Sequence, residues 1–166
     1  MCCRTWTGEE AQLLTAEERQ EIDAAVAMSG RRRAACIDAM MSVQSHRGWL
    51  SDETIEDLAV YLRMTPAELD SVATFYNLIF RQPVGRHVIL ICDSVSCWLL
   101  DYEPLLDHLK SRLHVEVGGT TADDRFTLLT SVCLGACDRA PVMMIDGKLY
   151  GNLTPEKIDA ILAEHK

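Results

Sequence analysis

Basic residues are scarce in this sequence of 166 residues, in which 16 lysines and arginines face 25 aspartates and glutamates. The resulting formal charge of −9 argues against nucleic acid as a partner, because a nucleic-acid interface needs a basic face that displaces counterions. Long apolar runs are also missing: HVILIC and FTLLTSVCL are far shorter than the ~18 residues that suggest a membrane span. The first ten residues, MCCRTWTGEE, lack the apolar core of a signal peptide. We therefore expect a cytoplasmic protein without direct membrane insertion.

Motifs that would indicate catalysis on this chain are missing as well. No G-x-G-x-x-G or P-loop pattern occurs, so the sequence predicts no site for NAD or a flavin. The C-x-x-C motif of a thioredoxin-type dithiol is absent. The histidines are scattered, which is typical of surface or packing residues: His46, His87, His108, His114 and His165. We expect no catalytic residue on this chain.

Cysteines, by contrast, are plentiful and grouped. Cys92 with Cys97 forms a C-x4-C pair, Cys133 with Cys137 forms a C-x3-C pair, and thirty-five residues separate the two pairs. An odd total of seven cysteines and a reducing compartment argue against disulfides. Two thiolate pairs brought together by a fold can hold an iron–sulfur cluster or a structural zinc ion. We expect the other three to take no part: Cys2, Cys3 and Cys36.

The spacing within each pair favours an iron–sulfur cluster and leaves zinc open. Zinc modules usually grip one ion with C-x2-C on both sides, whereas each iron of a two-iron cluster takes one pair of cysteines and suits the wider loops. No histidine lies within either loop, so all-cysteine ligation is preferred over a Rieske arrangement. Gly135 lies between Cys133 and Cys137, where a missing side chain lets backbone amides turn toward the sulfurs.

Residues 15 to about 80 have a helical pattern. Helices are predicted to start at the capping residues Thr15, Ser51 and Thr65, with a further helix over roughly residues 33–46 that Gly48 ends. The inward face of that second helix is predicted to comprise Ile37, Met40, Met41 and Gln44. The inward face of the helix that starts at Thr65 is predicted to comprise Leu69, Val72, Ala73 and Tyr76.

From about residue 86 the hydrophobic period becomes that of strands. HVILI predicts a buried central strand, residues 101–112 a helix, RFTLLTS a second strand, VMMI-DG-KLY a hairpin, and T-P-E-K the start of a last helix. The order β-α-β-β-β-α predicts an α/β (α+β) fold: a thioredoxin-like mixed-sheet sandwich over 81–166, with an N-terminal helical bundle over 1–80. Because each cysteine pair begins where a strand ends, both loops should leave the same edge of the sheet.

Several segments resemble a known family. V-A-T-F-Y at residues 72–76, C-D-S-V-S-C at 92–97, C-L-G-A-C-D at 133–138 and P-V-M-M-I-D at 141–146 closely resemble the thioredoxin-like [2Fe-2S] subunit of bacterial respiratory NADH:quinone oxidoreductase. This is the E subunit of complex I. The resemblance runs from about residue 16 to the C-terminus. It implies one [2Fe-2S] cluster per chain, held by Cys92, Cys97, Cys133 and Cys137 as metal ligands.

The resemblance also implies partners and a location. In this family the subunit contacts the F subunit, which binds FMN and NADH, and lies near the large iron–sulfur G subunit. The complex arm that holds them is peripheral, on the inner, cytoplasmic face of the plasma membrane. The cluster's role there is to accept one electron from reduced FMN. FMN and NADH are thus expected on the partner and not on this chain.

Two alternatives remain open at this stage. Related subunits serve NAD-reducing hydrogenases and formate dehydrogenases, so the same module could belong to one of those enzymes. A zinc-stabilised interaction module without redox function is the other alternative, since spacing alone leaves zinc open.

Overall fold

The computed structural model describes residues 14–165, and the chain divides into two compact units, Met1–Pro83 and Val84–Lys166. Cys2 and Cys3 lie outside the described residues. None of the helices in the described part of the chain combines the length and the apolar character that a membrane crossing requires.

The described part of the first unit is helical. Its helices are α1 (Ala16–Ser29), α2 (Cys36–Arg47), α3 (Asp52–Leu62) and α4 (Pro66–Phe75), with a 3-10 turn (Arg32–Ala35) before α2. The capping residues are those that the sequence predicts. Thr15 and Thr65 each form a complete capping box with the glutamate three residues on, and the Ser51 hydroxyl accepts a hydrogen bond from the Thr54 amide. Local chemistry therefore sets where three of the four helices begin.

The inward faces of α2 and α4 differ in part from the prediction. Met41 is 39 % exposed, because it lies beside the buried stripe of α2, which is Cys36, Ala39, Met40, Val43 and Gln44. Tyr76 is 41 % exposed, because α4 ends at Phe75 and the backbone of Tyr76 is extended. Ile37 and Val72 are half-buried and pack against the helical core. In α4 the predicted stripe runs one residue beyond the helix that forms, whereas in α2 the buried stripe starts one residue earlier than predicted.

The second unit is built on a four-stranded mixed sheet. Its strands are β1 (His87–Cys92), β2 (Phe126–Ser131), β3 (Met143–Ile145) and β4 (Lys148–Tyr150), in the order β2-β1-β3-β4. β1 and β2 are parallel, whereas β3 is antiparallel to both β1 and β4. The helices are α5 (Val95–Leu99), α6 (Tyr102–Leu113) and α7 (Pro155–Glu164). This is the thioredoxin-like arrangement that the element order predicts.

Packing and turn chemistry explain this sheet. Apolar side chains of β1 and β2 share one buried cluster with side chains of α6 and α7, among them Ile89, Leu128, Leu109 and Ile158. The β3–β4 hairpin turns at Asp146-Gly147, where both residues have positive φ, as a type I′ turn requires. β3 pairs antiparallel with β1, and the β3–β4 turn therefore lies near the start of β1.

Candidate metal centre

The parallel pairing of β1 and β2 places the two cysteine segments at one edge of the sheet. Cys92, the last residue of β1, lies opposite Ser131, the last residue of β2. The Asp93 amide then donates a hydrogen bond of 3.0 Å to the Ser131 carbonyl, so the two chain segments stay together as they leave the sheet. Cys133 follows two residues beyond Ser131. Both predicted pairs thus begin at the carboxyl ends of neighbouring strands.

The Cys92–Cys97 pair is buried. Cys97 lies on the short helix α5, and each of the two residues is 1 % exposed, packed with Ala136 and Val142. Burial, followed by the hydrogen bond with the Cys92 thiol, raises the pKa of Cys97 to about 11, and the backbone amide of Val142 opposes the rise. The two side chains therefore lie in one buried cluster, away from water.

The Cys133–Cys137 pair is exposed. Its two sulfur atoms lie 4.0 Å apart, and Cys137 opens a 3-10 turn that ends at Arg139. The backbone amide of Gly135 donates a hydrogen bond of 3.4 Å to the Cys133 sulfur, from a residue whose φ is +73°. The amide orientation that the sequence suggests for Gly135 is therefore present. The two pairs differ sharply in their access to water.

The four candidate cysteines are grouped as a buried pair and an exposed pair. Within residues 14–165, no three His, Cys, Asp or Glu side chains come together closely enough to hold a single metal ion. A structural zinc ion needs all of its ligands at about 2.3 Å from one centre. A [2Fe-2S] cluster instead takes two thiolates at each of two irons, which bridging sulfides hold apart. One thiol pair for each iron, with both pairs at one edge of the sheet, fits the ligand set of such a cluster.

The remaining candidate residues have other partners. Cys36 is buried in the core of the helical unit at the start of α2. Three histidines bond to carboxylates, at distances of 3.2 Å, 2.6 Å and 3.0 Å: His46 with Glu21, His87 with Asp146, and His108 with Asp159. His165 bonds to the Ile161 carbonyl, and His114 follows the last turn of α6. These contacts are those of packing and surface residues.

An apolar surface beside the cysteines is the feature that sequence reasoning missed. Five large side chains on the two cysteine segments are between 53 % and 80 % exposed: Val95, Trp98, Leu99, Leu100 and Val132. Exposed acidic residues on the same segments flank them: Asp93, Asp101 and Asp138. The available signal was the W-L-L run after Cys97, which belongs to no predicted strand or helix. We call these five residues the apolar surface.

Comparison with known proteins agrees with this geometry. The model of the thioredoxin-like [2Fe-2S] ferredoxin family matches residues 22–166. The chain belongs to the thioredoxin-like [2Fe-2S] ferredoxin family. The match includes all four cysteines of the candidate centre.

Individual relatives match over almost their whole length. The chain is 45 % identical over 157 residues to the E subunit of the NADH-quinone oxidoreductase of Escherichia coli K12, and the match covers 95 % of each chain. It is 41 % identical over 150 residues to the same subunit of Pseudomonas aeruginosa PAO1, with 90 % of each chain covered. Among solved structures, an NAD+-reducing [NiFe]-hydrogenase in the H2-reduced state matches with a TM-score of 0.64 and 26 % identity. That match covers 75 % of this chain but only 21 % of the hydrogenase chain.

Proposed function

We propose that this chain is the electron-transferring E subunit of an NADH:quinone oxidoreductase, with one [2Fe-2S] cluster held by Cys92, Cys97, Cys133 and Cys137. The observation that carries the proposal is the arrangement of two thiol pairs at one sheet edge, within a chain of the [2Fe-2S] family. Relatives of almost equal length, at 45 % identity, carry the name of that subunit. Together these findings support an electron carrier over a zinc-stabilised module.

The residues of this chain have separate tasks in such a carrier. A bound [2Fe-2S] cluster supplies the uptake and release of one electron without breaking bonds. Cys92 and Cys97, both 1 % exposed, hold one side of the centre away from water. Cys133 and Cys137 hold the other side at the surface, where an electron can enter or leave. The chain thereby keeps the centre intact and accessible at once.

The electron donor in this proposal lies on a partner polypeptide. The sequence has no dinucleotide fingerprint, so FMN and NADH belong on another chain, the F subunit. The apolar surface supports contact with such a partner, because exposed patches of this kind mark interaction sites. The acidic residues beside it suit a partner with a basic rim. The G subunit and a position in the peripheral, cytoplasmic arm of the complex complete this proposal.

The helical unit has a proposed role in the same contact. An electron carrier without its own donor must hold its centre at a fixed distance from the donor. The thioredoxin-like part, residues 81–166 in our division, offers a small surface, whereas stable interfaces bury roughly 1,200–2,000 Å² in total. We propose that the helical region, residues 1–80, supplies additional contact area for the partner. Phe75, which is 81 % exposed at the end of α4, supports this role.

The second candidate is the equivalent subunit of an NAD-reducing hydrogenase or a formate dehydrogenase. The structural match to an NAD+-reducing [NiFe]-hydrogenase favours it. Identity weighs against it: 26 % to the hydrogenase chain compared with 45 % to the E subunit of the quinone reductase. The genes beside this one would separate the two candidates. Neighbouring genes for other quinone-reductase subunits would favour the first candidate, and a neighbouring gene for a hydrogenase large subunit would favour the second.

Metal analysis tests the proposal directly. Protein purified without oxygen should contain two irons and two labile sulfides per chain and give a paramagnetic resonance signal after reduction with dithionite. Cys92→Ser, Cys97→Ser, Cys133→Ser and Cys137→Ser should each weaken or abolish that signal, because serine offers a harder oxygen ligand. Cys36→Ser is the matched control, since Cys36 lies in the core of the helical unit. One zinc per chain and no sulfide would refute the electron-transfer function.

A further inference from the structure

One sulfur of the exposed cysteine pair is contacted by a backbone amide of its own loop. Cys133 accepts a hydrogen bond of 3.4 Å from the backbone amide of Gly135, within its own loop. Both Cys133 and Gly135 are exposed, so no packing from the protein interior forces this contact. The loop conformation itself must hold the amide in place. That conformation depends on Gly135, whose φ of +73° lies in the left-handed region that side chains rarely adopt.

We propose that Gly135 is a positioning residue that sets the reduction potential of the cluster by directing its amide at the Cys133 sulfur. The inference rests on the proposed function, because it needs the cluster that Cys133 helps to hold. Reduction adds one negative charge to the centre, and a hydrogen bond to a thiolate stabilises the more negative state more strongly. The Gly135 amide therefore raises the potential. Without it, the oxidised form should be favoured.

The surroundings of Gly135 allow a clean test. A Cβ atom built on this residue meets nothing within 4 Å, so replacement by alanine adds backbone strain without a steric clash. Gly147 provides a matched control. Its φ is +80°, its added Cβ also meets nothing within 4 Å, and it lies in the β3–β4 turn at the opposite edge of the sheet. The two alanine variants thus carry similar strain at different distances from the sulfurs.

The first experiment is a redox titration of full-length protein, followed by paramagnetic resonance. Gly135→Ala should shift the ratio of reduced to oxidised cluster about tenfold toward oxidised, which is about 59 mV for one electron. Gly147→Ala should leave the potential at the wild-type value, although it should lose similar thermal stability. Gly135→Asn should stay near wild type, because asparagine tolerates the left-handed conformation. Equal potentials in Gly135→Ala and wild type would overturn the inference.

A second experiment removes only the hydrogen-bond donor. Ligation at Cys133 joins residues 1–132 to a synthetic peptide of residues 133–166, in which an ester replaces the amide of Gly135. The matched semisynthetic protein carries the ester at Gly147 instead. The Gly135 ester should lower the potential at least as much as alanine does, with iron and sulfide contents unchanged. An unchanged potential with a full cluster refutes the role of Gly135 but leaves the proposed function intact. Absence of a cluster from the wild-type protein instead refutes the proposed function.

Discussion

Replacement of Glu18 by glutamine should destabilise the helical unit more than a surface substitution does. The Glu18 side chain is 1 % exposed, although glutamate is almost never fully buried without a partner. Its carboxylate accepts hydrogen bonds of 2.6 Å and 2.7 Å from Nε and Nη2 of Arg47. It also accepts a hydrogen bond of 2.7 Å from the Thr15 amide, which completes the capping box of α1. One carboxylate therefore joins the start of α1 to the end of α2.

The magnitude follows from the burial of the two charges. Removal of one partner from a fully buried ion pair costs about 3–5 kcal/mol, whereas exposed pairs contribute about 0–1 kcal/mol. Glu18 is buried, but Arg47 is 26 % exposed and can recover part of its hydration. Glutamine also keeps one oxygen that can accept a hydrogen bond. We therefore expect Glu18→Gln to lower the free energy of unfolding by about 2–3 kcal/mol, between the two limits.

Glu68→Gln is the matched control. Glu68 also completes a capping box, with Thr65, and also pairs with an arginine, Arg33. Its side chain is 41 % exposed and that of Arg33 is 63 % exposed, so solvent screens this pair. Urea unfolding followed by circular dichroism would measure both variants. A loss in Glu18→Gln no larger than the loss in Glu68→Gln would refute the argument from burial.

The same pair predicts an acid dependence. Hydrogen bonds from Arg47 hold the pKa of Glu18 below its ordinary value of 4.5. A group whose pKa is lower in the folded state stabilises the fold fully above its unfolded pKa and loses that effect as pH falls through the folded value. The contribution of Glu18 should therefore be complete above about pH 4.5 and decline below it. Glu18→Gln should show a smaller loss of stability on acidification than wild type.

Three further predictions concern ligand binding, a buried amide and the remaining described cysteine. Calorimetric titration of the isolated chain with NADH should show no binding, since the sequence lacks a dinucleotide fingerprint, and micromolar affinity would contradict this. Gln44→Leu should cost about 2–4 kcal/mol in urea unfolding, because Gln44 bonds to the Leu78 carbonyl at 2.8 Å and the Phe80 amide at 2.6 Å; a loss below that of Met41→Leu would count against it. Cys36→Ser should retain the full cluster but unfold at lower urea, because Cys36 is buried; a lost resonance signal would contradict the ligand assignment.

The sequence predicts best what local chemistry determines. Thr15 and Thr65 start helices because the glutamate that completes each capping box is three residues away. Asp146-Gly147 forms its turn because both residues tolerate positive φ. The common edge of the two cysteine segments also follows from the sequence, because successive strands joined by a helix pair in parallel. For the helix starts and the turn a few neighbouring residues are sufficient, whereas the common edge follows from the order of the strands and the helix between them.

Features that depend on distant contacts could not be predicted in the same way. The segment after α4 is fixed by Gln44 of α2, which bonds to Leu78 and Phe80, so the helical period does not extend to Tyr76. The difference in exposure between the cysteine pairs arises because Ala136, Ala140 and Val142 pack against Cys92 and Cys97. Spacing alone gives no information on which pair is buried.

On the proposed function, the exposure of the two pairs and the position of the apolar surface together explain how this chain can serve a redox enzyme. An electron carrier must shield its centre from water and still bring a donor close to it. Packing around Cys92 and Cys97 meets the first need. On the proposed function, the exposed pair and the exposed Val132 next to Cys133 meet the second, because a partner that covers Val132 approaches Cys133. On the proposed function, binding of the partner therefore completes the shield and supplies the electron at the same surface.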